Sequence, residues 1–316
     1  MATSYTADDL LEQVRRGGSL PAAASTGTAD ADLLAHADAE LRDTLVPLML
    51  GVQEEYYQRQ FLVSIVSGVG GYRINKRAAL SRLNTVEWLN ADNSGYPLDR
   101  IDPKRALQVG VSTTSSGQPR YYYLEGGRLV MWPTPNAAGT VRIRAFVRPA
   151  RLTLTTDTTN VKPITAVTVG ATETEVTIVA HGISVSAIRD VVASTPSFEH
   201  LALDATATVE DLDTLSFLNT SLTTSPIVGD YVCVSDYTPY VQLPVELQPA
   251  LVELVIARVL RARGKLTEAN NHATEAERLV GIGIAAITPR VDTADRKITG
   301  GPHWRKSRNP IFWRGP

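Results

Sequence analysis

The chain has a single cysteine, Cys233, among 316 residues, so it cannot form an internal disulfide, and no Cys/His group has zinc spacing. A cytosolic or virion-interior setting is the expectation. No stretch approaches the ~18 consecutive apolar residues of a membrane helix, and the opening MATSYTADDLLEQVRR lacks a basic segment followed by an apolar one. We therefore expect a soluble protein with no signal peptide and no membrane contact. The common catalytic patterns are missing too: there is no Gly-x-Ser-x-Gly elbow, His-Glu-x-x-His pair, EF-hand loop or Cys-x-x-Cys.

The remaining polar groups do not converge on chemistry. Asp30 and Asp32 stand at a helix start, where acidic side chains favour the dipole. Glu54 and Glu55 are adjacent, and on a helix would point about 100° apart, which suits a polar face better than an acid–base pair. Glu210, Asp211 and Asp213 could approach a calcium ion, but without a loop glycine or further ligands they read as a solvated acidic turn. His36, His272 and His303 sit among helix or tail polar residues, and His181 and His200 in turns, none with a nameable partner. No enzyme activity, cofactor or metal is expected.

Length favours a large interior. A chain of this size buries about 75% of its unfolded surface, enough for one large core or two moderate ones. The net charge of −2 conceals a strong asymmetry: residues 151–243 hold 11 Asp/Glu against 3 Lys/Arg, whereas residues 289–316 hold 2 Asp against 7 Lys/Arg. An acidic middle and a basic end imply separate surfaces for separate partners.

Thr6 and Asp9 have capping-box spacing ahead of a short helix that Gly17-Gly18 ends. From Asp30, apolar residues at Leu33, Ala37, Leu41, Leu45, Leu48, Val52 and Tyr56 predict a second helix reaching about Val66, kinked at Pro47. Ser67-Gly68-Val69-Gly70-Gly71 breaks it. As a phosphate loop this segment lacks a preceding strand and a Gly-Lys-Ser/Thr, so it reads as a helix-to-strand hinge. Residues 119–149 give the clearest β signal. RYYYLEGGRLVMW predicts a hairpin turning at Gly126-Gly127, and VRIRAFVRP a strand with Val141, Ile143, Ala145 and Val147 inside and Arg142 and Arg144 outside. The three strands form a meander on the helices in this reading.

Residues 151–243 turn to short alternating Thr/Val runs and predict an inserted β domain, a small sandwich or barrel. Residues 244–288 return to helix. Their first half is apolar on most sides, Gly264 marks a kink or tight break, and Ala269, Ala273, Ala276, Gly281, Gly283 and Ala285 permit close helix approach. The fold class is thus α+β: a helical bundle with a β-hairpin or meander (residues 1–150), the inserted β domain (151–243), C-terminal helices completing the core (244–288) and an extended tail (289–316). That tail has no periodicity, yet carries Trp304, Ile311, Phe312 and Trp313 among Arg296, Lys297, Arg305, Lys306, Arg308 and Arg314. Aromatics of this kind usually anchor something. A nucleic acid is one candidate, with cations on phosphates and rings on bases. An acidic protein partner with apolar pockets fits the crowding around Pro310 better.

The segment Tyr72-Arg73-Ile74-x-x-Arg77-Ala78, the hairpin Tyr122-x-x-Glu125-Gly126-x-x-Leu129-x-x-x-Pro133-x-Pro135, Arg148-Pro149, Leu243-Pro244-x-x-Leu247 and the ending Ile287-Thr288-Pro289-Arg290-Val291 resemble head-to-tail adaptor (connector) proteins of tailed bacteriophages. Asn75 stands where a proline is expected, and the interior of the insert lies outside the resemblance. The resemblance implies a non-enzymatic virion protein of the neck, assembled in the host cytoplasm. It would form a homo-oligomeric ring, often of twelve copies, beneath the portal protein, meet a downstream neck or tail protein, and extend a channel through which DNA passes without sequence-specific binding. On this reading the ten tail residues named above dock on the portal. The apolar helix would be buried within and between copies, with Leu247, Leu251, Leu254, Val255 and Val259 as subunit-packing residues. Two other readings stand beside it: a nucleic-acid-binding protein using the tail, and a receptor or glycan binder needing surface aromatics among Phe198, Phe217, Tyr231, Tyr237 and Tyr240.

Overall fold

The computed structural model describes residues 5–21, 29–90, 94–104, 116–183, 185–194 and 200–288. Helix α1 (Ala7–Gly17) starts with the expected capping box: the Thr6 hydroxyl accepts from Asp9 N at 3.1 Å and Asp9 Oδ2 accepts from Thr6 N at 2.9 Å. Its apolar residues Ala7, Leu10, Leu11 and Val14 share one buried face at three- and four-residue spacing. Helix α2 (Asp30–Glu40) runs into a π-helical turn (Leu41–Leu45) and then α3 (Val46–Val52). Pro47 is the physical cause of that widened turn. It has no N–H for the Asp43 carbonyl and its ring needs room there, so the Val46 N–H bonds back to Leu41 instead.

The predicted helix does not reach Val66. It ends at Val52, a 3-10 turn (Glu54–Tyr57) follows, and residues from Gln58 are strand. The strands of this half are β1 (Gln58–Ile65), β2 (Gly71–Arg73), β3 (Ala78–Leu89), β4 (Gly95–Pro97), β5 (Asp99–Arg100), β6 (Ser116–Gly117), β7 (Tyr121–Glu125), β8 (Arg128–Trp132), β9 (Thr134–Pro135) and β10 (Gly139–Val147). Phe61, Val63 and Ile65 alternate with Gln60, Leu62 and Ser64, the period of a one-sided strand that the helical spacing upstream obscured. The glycine segment is therefore preceded by a strand, contrary to the sequence reading. A strand also follows it, so it joins β1 to β2 and opens no helix.

Two four-stranded sheets result, in the orders β1-β10-β3-β4 and β2-β8-β7-β5. Ile65, Val86, Trp88, Val141, Ile143 and Ala145 of the first enclose one core with Tyr122, Leu129 and Met131 of the second. The hairpin β7–β8 turns as expected at Gly126 and Gly127, whose φ of +54° and +77° suit residues without Cβ. Strand β10 buries the four expected residues and turns Arg142 toward Glu87 at 3.1 Å. It pairs with β1 and β3, however, and not with the hairpin, so the predicted three-stranded meander is replaced by a sandwich.

The insert consists of β11 (Arg151–Leu152), β12 (Val161–Pro163), β13 (Ala166–Val169), β14 (Glu173–Thr177), β15 (Ala187–Val192), β16 (His200–Val209), β17 (Thr214–Leu218), β18 (Tyr231–Val234) and β19 (Tyr237–Thr238). Entry strand β11 and exit strand β19 pair in parallel, stitching the two ends of the insert together. The rest form one seven-stranded sheet in the order β12-β18-β15-β16-β17-β14-β13. Its edge strands β12 and β13 are separated only by Ile164 and Thr165. Ile164 N bonds to Asp230 O at 2.7 Å and Thr165 N to Thr177 O at 2.8 Å, which turns the chain from one edge to the other. The sheet thus curls into a half-barrel around Val176, Val191, Leu215, Phe217 and Val232.

Helices α4 (Gln248–Ala262) and α5 (Leu266–Ile287) are antiparallel, joined at Gly264 with φ +76°. The break foreseen at Gly264 is thus a complete reversal. Ala269, Ala276 and Gly283 recur every seventh residue and are the buried seam of α5. Helix α4 lies between α5 on one side and α1 and α2 on the other. One apolar core runs through Leu10, Leu33, Leu41, Met49, Leu251, Val255 and Val259, so N-terminal and C-terminal segments make a single folding unit.

Candidate functional site

Polar groups converge where the helices, the sandwich and the insert meet. Arg77, immediately before β3, points into the insert and its Nη1 lies 2.5 Å from Asp190 Oδ2, with both side chains removed from water. Asp190 also accepts from Asp204 N at 2.8 Å and Asp236 N at 3.1 Å. Arg77 Nε approaches Asp236 Oδ1 at 3.6 Å, and Asp236 Oδ2 is 3.7 Å from Arg151 Nε. Asn75 bridges the same parts, donating to Asp204 Oδ2 at 2.8 Å while its carbonyl accepts from Arg77 N at 2.9 Å. Burial pushes the Asp190 carboxyl up, and the Arg77 charge and the two amides oppose that shift.

Beside this group lies a second one. Gln242 Oε1 accepts from Ala150 N at 2.7 Å, which fixes its amide so that Nε2 donates to His200 Nε2 at 2.5 Å. His200 is then neutral with its proton on Nδ1. Complete burial, reinforced by the charges of Arg77 and Arg59, holds its pKa well below the ordinary histidine value. The Tyr57 hydroxyl donates to Gln242 O at 2.9 Å, and burial raises its pKa. On the helical side, Asp38 Oδ1 accepts from Leu152 N at 2.9 Å, and burial raises the carboxyl to about 6 against the pull of Arg42 and Arg151. Each of these residues makes at least one bond between segments distant in sequence, although Arg77 Nη2 and His200 Nδ1 are buried without a hydrogen-bond partner. The junction works as a weld between the helices, the sandwich and the insert.

The ten residues expected to dock on a partner, Arg296, Lys297, Trp304, Arg305, Lys306, Arg308, Ile311, Phe312, Trp313 and Arg314, lie outside the described residues. Of the five named for subunit packing, Leu247, Leu251, Val255 and Val259 are buried in the chain's own core, and Leu254 packs half-buried against it. The acids of the insert turn are separately occupied: Glu210 by the Ser216 hydroxyl at 2.8 Å, Asp211 by Asp213 N at 2.8 Å, and Asp213 by Ala180 N at 2.6 Å. Among the described residues no group of three His, Cys, Asp or Glu is placed to hold a metal. Asp30 pairs with Arg15 at 2.6 Å, and His272 with Glu253 at 2.6 Å. Of the five insert aromatics, Phe198 lies outside the described residues; Phe217 and Tyr240 are buried, and Tyr231 and Tyr237 half-buried, so none of the four described ones offers the exposed ring a glycan binder needs.

Sequence reasoning missed the weld because its members are scattered singly over more than 160 residues. One signal was available. Arg77 and Asn75 fall inside the Tyr72–Ala78 motif, whose other members also serve packing: Tyr72 closes its loop through hydrogen bonds to both backbone groups of Val66, and Ile74 and Ala78 are buried. Leu129, Leu243 and Leu247 are fully buried as well.

The model of one protein family, described as SU10 adaptor protein, matches residues 5–171. The match takes in α1 to α3, the whole sandwich and the first strands of the insert. No curated protein matches the chain. With more than half of its residues matched, the chain belongs to the SU10 adaptor protein family of phage structural proteins.

Proposed function

We propose that the protein is a non-enzymatic ring subunit of the phage neck, attached beneath the portal, meeting a downstream neck or tail protein and extending the DNA channel. The family match over residues 5–171 is the observation that carries this reading. The core geometry supports extending it to the C-terminal helices, since α4 and α5 share one apolar core with the matched α1 to α3. The basic aromatic tail follows α5 directly and is the portal anchor in this proposal.

Because Leu247, Leu251, Val255 and Val259 are consumed inside the chain, contacts between copies fall to other residues. Leu48, Val245 and Ile282 are exposed on α3, the 3-10 turn before α4, and α5, three elements of which α5 touches both others. These take the role that the sequence reading gave to the buried set. If the insert, with its excess of acids, lines any of the channel, like charge limits sticking of DNA.

Deleting residues 299–316 is expected to abolish co-sedimentation with portal while leaving circular dichroism and Tm unchanged. Retained attachment would show that the tail is not the anchor. A filter-binding titration separates the nucleic-acid reading: a steep fall of affinity with salt that disappears with the deletion would favour phosphate contacts over protein docking.

A further inference from the structure

The insert holds 11 acidic and 3 basic residues over 151–243, yet two of the three cations, Lys162 and Arg189, line one narrow, half-enclosed pocket with Asn160, His181, Ile183 and Cys233. Strand register explains the convergence. Arg189 stands opposite Val234, Lys162 opposite Val232, and Val191 opposite Val232, so both cations rise from the face that carries the half-barrel core. Asp190, one residue on, points the other way and is taken by Arg77.

Among the described residues neither cation has a counter-charge: neither forms an ion pair, Arg189 Nε is buried without a hydrogen-bond partner, and Lys162 Nζ spends one donor on Ala180 O at 2.7 Å. His181 offers no negative charge: its Nδ1 accepts from Ile183 N at 3.0 Å, so its Nε2 donates to Asp211 O at 2.7 Å. Burial pushes the Cys233 thiol well above its ordinary pKa, which keeps it neutral, and lowers the Arg189 pKa. A half-buried guanidinium with an unsatisfied donor is costly unless an anion joins it.

We propose that this pocket binds a single small anion through the Arg189 guanidinium and the Lys162 ammonium, a site that the carboxylate end of acetate can probe. The test uses the full chain and acetate as the probe, near pH 7, at constant ionic strength balanced with a bulky sulfonate. Tm is expected to rise with acetate for the natural protein. Arg189→Gln is expected to weaken the apparent acetate affinity at least tenfold, with Tm in the absence of acetate unchanged or higher. Lys162→Met, which keeps the apolar stem, should weaken it to a lesser extent and guards against a folding defect in the first variant. A Tm that ignores acetate, or an acetate response equal in both variants and the natural protein, would overturn the proposal.

Discussion

Arg77 and Asp190 hold each other with almost no solvent on either side chain, and in that setting the cost of breaking the pair far exceeds its net worth when intact. Arg77→Met should destabilise the protein by roughly 3–5 kcal/mol because it strands a buried carboxylate. Combining it with Asp190→Asn should recover more than half of that loss in thermal unfolding, and strictly additive losses would show that the two are not coupled. Asp38 and His200 give the junction opposed pH dependences. The folded pKa of Asp38, about 6, lies above the ordinary carboxyl value of 3.8, so its contribution favours the fold below 3.8 and is lost as pH rises through 6. The folded pKa of His200 is lowered, so its contribution is present above about 6.5 and is lost as pH falls from there. Asp38→Asn, which can still accept from Leu152 N, should raise stability at pH 7 by up to about 3 kcal/mol. It should also unmask a steeper loss of Tm between pH 6.5 and 5, and an unchanged pH profile would contradict the assignment.

At the scale of elements, α5 illustrates how one residue type plays opposite parts. A Cβ at Gly283 would meet Leu247 Cδ2 at 2.6 Å and Glu246 O at 2.8 Å, and the second of these is backbone that cannot swing aside. At Gly281 a Cβ would meet nothing within 4 Å. Gly283→Ala should therefore cost about 1–3 kcal/mol through overpacking, whereas Gly281→Ala should gain up to about 1 kcal/mol from helix propensity. Equal effects in denaturant titrations would mean that α5 does not pack as described. The legibility of the sequence also divides by element. Helices α1, α2, α4 and α5 were readable because Leu10, Leu33, Leu251 and their neighbours keep a period near 3.6; the capping box and Gly17-Gly18 bound α1 and Gly264 divides α4 from α5, while α2 has no such end mark. The β7–β8 hairpin was readable from Gly126-Gly127. Strand β1 was not, since Phe61, Val63 and Ile65 follow a helical pattern without punctuation between Val52 and Gln58. The sandwich and half-barrel were hidden for another reason: which strands pair is decided by contacts such as β1 with β10 that lie some eighty residues apart, and no local pattern records them.

For the whole molecule, burial narrows the proposed contact between copies more than topology does. Apolar density correctly marked α4 as a buried helix, but the cover comes from α1, α2 and α5 of the same chain, and Leu48, Val245, Leu266 and Ile282 are exposed apolar residues of the helical part. Val245→Asp together with Ile282→Asp should lower the mass of the assembly in solution while leaving the Tm of the subunit within a few degrees, because neither side chain belongs to the core. An unchanged assembly would move the subunit contact elsewhere. The weld at Arg77 and the shared helical core join the helices, the sandwich and the insert. The most direct measurement is the mass and shape of the purified full-length protein, by mass photometry and negative-stain imaging with and without portal. The account predicts a ring with a central hole, alone or once portal is added; a monomer that stays monomeric and never binds portal would contradict it.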